Sequence, residues 1–411
     1  MTYPRQRLYD TNHFGYIKAL ISGTLNSDEE LNFEEEFYNL TGIKNAVPLS
    51  RGRLGLYFAI KNFVSKERNR VLMNSFTIFD VVNMVILGGG EPLFCDSESK
   101  FSPHITLDEI KKSVDEKTSV VLITHYHTVN PYIEEISKWC KENNIKLVED
   151  CAISLGSSFN GKSVGSFGDA SYFSFGLFKF VSTYFGGAVW FKDQNIKDSM
   201  MAEMSQWSKM GEKDLRPYFL KGIKLDILTN KHVFNYFTFP LFKYGYLKDI
   251  KFIKQQAVND PDPHLKTEFP EYYKRQPSTF QVKEFIRQFK KIKSYNKERY
   301  ENAKMYYEIL SENKNISISK PNEYDGFLNF PIVLKKGSRD EIVNKIMTNN
   351  FDVSIYFYRN CAKLDCFKKY NRELPNIEYF VSNIITLPAY PGIESSYIKS
   401  LANLVNKVID D

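Results

Sequence analysis

Through the first half of the chain, short apolar and β-branched runs alternate with segments of helical periodicity. Val71-Leu72-Met73, Pro92-Leu93-Phe94, Val120 to Ile123, Ile145 to Val148 and Ala188 to Phe191 read as strands buried on both faces. Between them Leu54, Tyr57 and Phe58, then Ile133, Ile136 and Cys140, recur at the spacing of one helix face. A strand that is apolar throughout needs cover on both sides, and intervening helices supply it. The alternation predicts an α/β fold with a mainly parallel central sheet and helices on both faces. Ligands of such sheets collect at the carboxyl ends of the strands.

The second half has a different pattern. Val282, Phe285, Phe289, Ile292, Ala303 and Leu310 mark one long amphipathic helix; short strand candidates follow at Phe330 to Leu334 and Val353 to Phe357, and a last helix near Leu401 to Val408. These read as a smaller C-terminal α+β domain. Between the halves, residues 234–256 (FNYFTFPLFKYGYLKDIKFIKQQ) hold eight aromatics in 23 positions, with lysines interleaved. Such a stretch could lie on a membrane surface or grip a long apolar ligand; a dimer arm or a core-covering insertion is the more ordinary reading. The expected organisation is an N-terminal segment, 1–48, packing with the small domain; a large domain, 49–230; an aromatic and basic insertion, 231–274; and the small domain, 275–411.

Composition narrows the function. With 43% hydrophobic residues in 411, the chain can bury a full core, and 55 Lys and Arg against 49 Asp and Glu leave only +6. That small excess, without a dense basic run, speaks against a nucleic-acid partner. Five cysteines without a C-x-x-C pair and six histidines without ligand spacing support neither a disulfide framework nor a metal site. The N-terminus lacks a signal-peptide pattern and no stretch is apolar for long enough to span a bilayer, so the expectation is a cytoplasmic protein, at most peripheral to a membrane.

Residues 156–163, GSSFNGKS, fit the G-x-x-x-x-G-K-[ST] pattern of a nucleotide-phosphate loop. The context is wrong: DCAISL separates it from the preceding strand, and the glycine-containing run from Val164 to Asp169 follows where a helix should start. A hairpin turning at Asn160-Gly161 is expected instead. What flanks the hairpin carries more chemistry. The strand ending IKLV delivers Glu149-Asp150 to its carboxyl end, and a lone lysine, Lys179, lies in SYFSFGLFKFVSTYFGGAVWF. A lysine among apolar residues can lose its proton through desolvation, as a Schiff-base lysine requires. Singly, Asp150 could be a helix cap and Lys179 a surface residue; together in one α/β frame they point to a site.

The stretch VEDCAISLGSSFNGKSVGSFGDASYFSFGLFKFVSTYFGG resembles the corresponding segment of the DegT/DnrJ/EryC1/StrS sugar aminotransferases, fold type I pyridoxal-phosphate enzymes. Asp150, Gly165, Asp169, Ser174, Lys179 and Gly186-Gly187 fall in register without a gap. NLTGIKNAVPLSRGRLGL, NSFTIFDVVNMVILGGGEPLFCD and LPAYPG extend the resemblance over most of the chain except about 215–270. It implies pyridoxal 5′-phosphate as cofactor, Lys179 as the residue that bonds it and shuttles the proton, Asp150 as partner of the ring nitrogen, Ser174 as a phosphate ligand, and backbone N–H groups at Gly52-Arg53 on the same phosphate. It also implies a homodimer with a shared site and an amino group moved from a donor, expected to be glutamate, to a keto-sugar, expected to be nucleotide-linked, in surface-polysaccharide or secondary-metabolite assembly.

The departures are as informative. Arg53 stands where the family has Thr. Ile78, with Phe79 one place later, stands where an aromatic stacks on the ring. Lys274 aligns with the Asn that reaches the phosphate across the dimer, with Arg275 beside it. Ile153, Phe180 and Phe185 replace Gln, Asn and Glu, which predicts a greasier pocket. Two alternatives follow: a less polar or lipid-linked carbonyl substrate, or a catalytically silent binding or regulatory protein. Some relatives are dehydratases with His in place of the lysine; Lys179 argues against that chemistry.

Overall fold

The computed structural model describes residues 1–8, 10–250, 253, 262–355 and 358–410. The apolar runs of the first half pair into a seven-stranded sheet in the order Val47–Leu49, Gly187–Phe191, Ala170–Ser174, Lys146–Asp150, Thr118–Thr124, Arg70–Asn74, Glu91–Cys95. The last five are mutually parallel, while Gly187–Phe191 and Val47–Leu49 are antiparallel to their neighbours. The central strand Thr118–Thr124 is buried at all seven positions, as a strand covered on both faces must be. Helices Arg53–Phe63 and Ile133–Glu142 contribute Leu54, Leu56, Phe58, Ile133, Ile136 and Cys140 to the core around it.

The smaller sheet, in the order Ile316–Ser317, Asn329–Leu334, Ile384–Pro388, Ser354–Ile355, is antiparallel throughout. Of the expected strand over 353–357, residues 356–357 lie outside the described ones. Helix Thr279–Leu310 starts at a capping box between Ser278 and Gln281. Its Phe285, Phe289 and Ile292 join the large core, and its Ala303, Tyr306 and Leu310 the small one. One 32-residue rod therefore links both sheets.

Two expectations change. The N-terminal segment does not pack as one piece with the small domain. Tyr3 does, and Arg5 Nε donates to Asp352 at 2.8 Å, but Phe33, Phe37, Ile43 and Val47 belong to the large core. The aromatic stretch is helical, through Lys231–Val233, Phe234–Thr238 and Phe239–Leu247. Phe234, Phe239 and Tyr246 sink into the small core, which makes that face core-covering. The opposite stripe, Tyr236, Phe237, Leu241 and Tyr244, is exposed, Leu241 to 70%. Positions 251–252 and 254–256 of the stretch lie outside the described residues. GSSFNGKS is a hairpin, Ser158–Phe159 against Lys162–Ser163, with Asn160 and Gly161 at φ 48° and 77°, the left-handed pair that a two-residue turn requires.

Candidate active site

Alternation along Lys146–Asp150 sends its two acidic side chains to opposite faces. Glu149 faces the loop after the hairpin. Its oxygens accept N–H groups from Gly165 (2.8 Å), Phe167 (2.6 Å) and Gly168 (2.8 Å), and lie 3.1 Å from His125 Nε2. Asn130 N–H donates to His125 Nδ1, so Nε2 carries the proton toward Glu149. Four donors saturate this carboxylate. The compact group His125, Glu149 and Cys151 is accordingly a structural clasp.

Asp150 turns the other way and is buried. Burial pushes its carboxyl up; the Tyr172 hydroxyl, the Ala152 N–H and the positive charge of Lys179 pull it down. The Ala152 bond is 3.0 Å, and Tyr172 is the cross-strand neighbour of Asp150 on Ala170–Ser174. That strand ends at the half-buried Ser174, opposite Gly187. The chain then turns through Phe178 at φ 62° into Lys179, whose N–H bonds Gly176 O at 3.2 Å. Burial pushes the Lys179 amine down to about 8; Asp150 opposes the shift and the charge of Arg53 adds to it. The carboxyl end of the sheet thus holds a lysine whose amine burial pushes well below the ordinary lysine value, beside a buried carboxylate.

Gly186-Gly187 closes the loop against the start of helix Arg53–Phe63. The two backbones cross so closely that a Cβ on Gly187 would lie 2.2 Å from Gly52 Cα, and one on Gly52 would lie 2.4 Å from Phe173 O. Only glycines fit both positions. Of the two backbone N–H groups expected on the phosphate, at Gly52 and Arg53, this crossing corrects the first: the Gly52 N–H donates to Gly186 O at 3.1 Å and does not face an anion. Leu54 and Gly55 N–H return to the carbonyls of Arg51 and Gly52.

Arg53 reaches outward to an ion pair with Asp80 and donates to Tyr273 Oη at 3.2 Å. Asp80 also pairs with Lys266, whose amine donates to Tyr273 Oη at 3.0 Å. Burial pushes the Tyr273 phenol up, but Arg53 and Lys266 together bring it below the ordinary tyrosine value. Arg51 lies beside this group, 4.4 Å from the Phe185 ring centre and 5.0 Å from that of Tyr273. Arg51, Asp80, Lys266, Tyr172 and Tyr273 are absent from the sequence-based site; the R-G-R run at the helix start was a readable signal for Arg51, and no local pattern marks Lys266.

Other expected residues fall elsewhere. Ile78 precedes helix Phe79–Leu87 and is half-buried, while Phe79 packs on His264, with the Lys266 amine 5.8 Å from its ring centre. Phe79 therefore faces the end of the insertion. In the single chain Lys274 pairs with Glu271 on the surface, and Tyr273, one residue earlier, points inward. The greasier pocket is also corrected. Ile153 and Phe180 are fully buried core residues, with the guanidinium of Arg299 4.5 Å from the Phe180 ring centre, and Phe185 offers its π face to Arg51. A cavity of about 630 Å³ lies away from this chemistry, between the N-terminus and the insertion, lined by Phe239, Pro240, Tyr244 and Leu247 with Lys243 and Lys248.

Pyridoxal 5′-phosphate would present an aldehyde carbon, a ring nitrogen and a phosphate to this donor set. Lys179, Asp150 and the cations around Tyr273 match them in kind: a readily neutral amine, a buried carboxylate and a surplus of positive charge.

Comparisons agree with this reading. The model of the DegT/DnrJ/EryC1/StrS aminotransferase family matches residues 14–220 and 279–406. An uncharacterised protein of Methanocaldococcus jannaschii is 24% identical over 94% of this chain and 93% of its own length. GDP-perosamine synthase of Vibrio cholerae is 30% identical over 44% of this chain, which spans only 49% of that enzyme. Among solved structures, Helicobacter pylori PseC, an aminotransferase of pseudoaminic acid biosynthesis, superposes with a TM-score of 0.76 at 18% identity, covering 100% of both chains. Escherichia coli GDP-4-keto-6-deoxy-D-mannose-3-dehydratase with bound hydrated PLP gives 0.75 at 18% identity, over 98% of this chain and 99% of that one. By the family match over most of its length, the chain belongs to the DegT/DnrJ/EryC1/StrS aminotransferases, which are pyridoxal-phosphate enzymes.

Proposed function

We propose that this protein transfers an amino group from an amino acid, glutamate first, to the carbonyl of a nucleotide-linked keto-sugar. The observation that carries the reading is that strand Lys146–Asp150 and the turn after strand Ala170–Ser174 bring a buried carboxylate, Asp150, and a buried lysine, Lys179, within each other's electrostatic reach at the carboxyl end of the sheet. Pyridoxal phosphate, when bound, would supply an electron-withdrawing ring that favours loss of a proton from the substrate carbon. Lys179 Nζ, neutral in part at working pH, accepts that proton and returns it. Asp150 would hold the protonated ring nitrogen of the cofactor through charge and hydrogen bonding. Ser174 would hold the cofactor's phosphate from the end of strand Ala170–Ser174. The loop from Phe175 to Gly186, tied back by Thr183 N–H and Oγ1 to Phe175 O at 3.2 Å each, fixes Lys179 on that side.

Dehydratases share this fold, so the fold alone does not choose the reaction; Lys179 favours transamination. Core burial of Ile153 and Phe180 weakens the case for a silent homologue, because those substitutions fill the interior. The test is an absorbance spectrum of the protein with cofactor, beside Lys179→Ala. Appearance of the yellow band in the parent alone, and its bleaching by glutamate, supports the reading; a band that no amine donor bleaches supports the silent-protein alternative.

The same reading includes a cytoplasmic homodimer in which Lys274 or Arg275 reaches the partner's site; sedimentation equilibrium tests the assembly. It also includes peripheral membrane contact through residues 234–256, supported by the exposed stripe Tyr236, Phe237, Leu241 and Tyr244 and the exposed Lys248 that follows it. Among the described residues no helix is long and apolar enough to cross a membrane. Co-sedimentation with anionic vesicles that is lost at high salt supports this contact, and absence of binding at any salt removes it.

A further inference from the structure

We propose that Arg51, Arg53 and Lys266 form a preassembled site for a phosphate ester, with Asp80 as internal counter-ion and Tyr273 as the strut between them. Charge is the first ground. Three cations and one carboxylate leave a surplus of two positive charges, in a place where Arg51 is only 4% and Asp80 5% exposed. Uncompensated charge is costly in such surroundings. A phosphate monoester near neutral pH carries close to the two negative charges that complete the group.

Arg51 is the second ground. Its guanidinium sits among four rings, with the centres of Phe185, Tyr273, Tyr272 and Tyr218 at 4.4, 5.0, 5.3 and 5.4 Å, and Nη1 donates to Tyr218 Oη at 3.1 Å. Its Nε is buried with no hydrogen-bond partner among the described residues. A buried donor without a partner marks a place where an acceptor is missing. The planar guanidinium, held by π faces on its sides, keeps its edge donors for that acceptor.

The third ground is the place of these side chains at a helix start, where free N–H groups favour an anion. The Gly52 N–H is taken by Gly186 O, and the flanking side chains Arg51 and Arg53 add charged donors at the same end. The third cation comes from the far end of the insertion, which is clamped onto helix Phe79–Leu87 at two points: Asn83 Nδ2 donates to His264 O at 3.0 Å, and Lys266 N–H donates to Asn83 Oδ1 at 2.9 Å. The insertion thus contributes to the site itself, through Lys266.

The phosphate has two sources in the reading above, on which this inference rests: the cofactor's monoester or the diphosphate of a nucleotide-linked substrate. Pyridoxal separates them, because it keeps the aldehyde and lacks the phosphate. The experiment titrates pyridoxal phosphate and pyridoxal into the parent, Arg51→Gln, Arg53→Gln and Lys266→Gln, following absorbance, with a nucleoside diphosphate titrated by calorimetry. If the cofactor's phosphate is the ligand, the preference of the parent for pyridoxal phosphate over pyridoxal falls about tenfold or more in Arg53→Gln, and inorganic phosphate competes with the first compound only. If the diphosphate is the ligand, that preference is unchanged and nucleoside diphosphate binding falls instead. Equal loss of both aldehydes, or no change in any of the three titrations, overturns the proposal. Arg53→Lys guards against misfolding: it keeps the charge and restores part of the preference. If neither aldehyde gives a band with the parent, the Lys179 reading has failed, and stabilisation of the parent but not the variants by inorganic phosphate still decides this one.

Discussion

The two sides of the candidate site are built in different ways. Asp150, Ser174 and Lys179 come from one stretch of thirty residues, on two adjacent strands and the turn that follows. Arg51, Arg53, Asp80, Lys266 and Tyr273 come from a helix start, a second helix and the end of an insertion, held together mainly by charge. The first side has its geometry fixed by backbone pairing, so its chemistry depends on single side chains. On the second side several cations share one task, so each single change should cost less. The difference gives an order of expected effects.

The largest should come from the strand side. Lys179→Ala abolishes the absorbance band of the lysine-bound cofactor and lowers transamination by about 10² to 10⁴-fold, the range for loss of a positioned proton carrier. Asp150→Asn keeps size but removes the charge proposed to hold a protonated ring nitrogen; turnover should fall by about 10² to 10³-fold, the scale of a lost electrostatic stabiliser, while the band persists. Single-turnover kinetics with glutamate measures both. A band that survives Lys179→Ala, or an Asp150→Asn variant as fast as the parent, would show that the side chains of this face do not carry the reaction.

A second effect separates the neighbouring carboxylates. Glu149→Gln turns an amide N–H₂ toward a place where three backbone N–H groups and His125 all donate. The mismatch should cost about 2–4 kcal/mol of stability, read as a lower urea midpoint. Once folded, the variant should still give the cofactor band, because Glu149 faces away from Lys179. Unchanged stability would mean that the loop over 165–168 is held by other means.

These contrasts explain what the sequence made legible. Every expected strand of the large sheet formed, because a strand buried on both faces leaves a local signature of continuous apolar residues. Asp150 stood out by its place at the carboxyl end of such a strand, and Lys179 as a lone lysine in an apolar segment. The opposite faces of Glu149 and Asp150 follow from strand alternation, yet which face meets the site depends on packing. Lys266 was beyond reach, because its place is set by Asn83 and Asp80, more than 180 residues earlier. Phe180 and Ile153 misled for a related reason. An apolar residue at a family's polar position predicts a greasy pocket only if it still faces the pocket, and here both join the core beneath helix Thr279–Leu310.

The smallest effect is the most diagnostic of how the two sides interact. Burial and the nearby charge of Arg53 hold the Lys179 amine at about 8, against the opposing pull of Asp150. Attachment of the cofactor needs the neutral amine, whose fraction grows about tenfold per pH unit below that value and levels off above it. The rate of band formation at limiting cofactor should follow this curve, rising to a plateau just above pH 8. A lysine with an ordinary amine would keep accelerating past pH 10. Removing the positive charge in Arg53→Gln takes away one of the influences that push the amine down, so the midpoint should move upward by a fraction of a unit; in Asp150→Asn the lost negative charge should move it down. Opposite shifts would show that charge from both sides sets the reactivity of the lysine, and a midpoint unmoved by either substitution would assign it to burial alone.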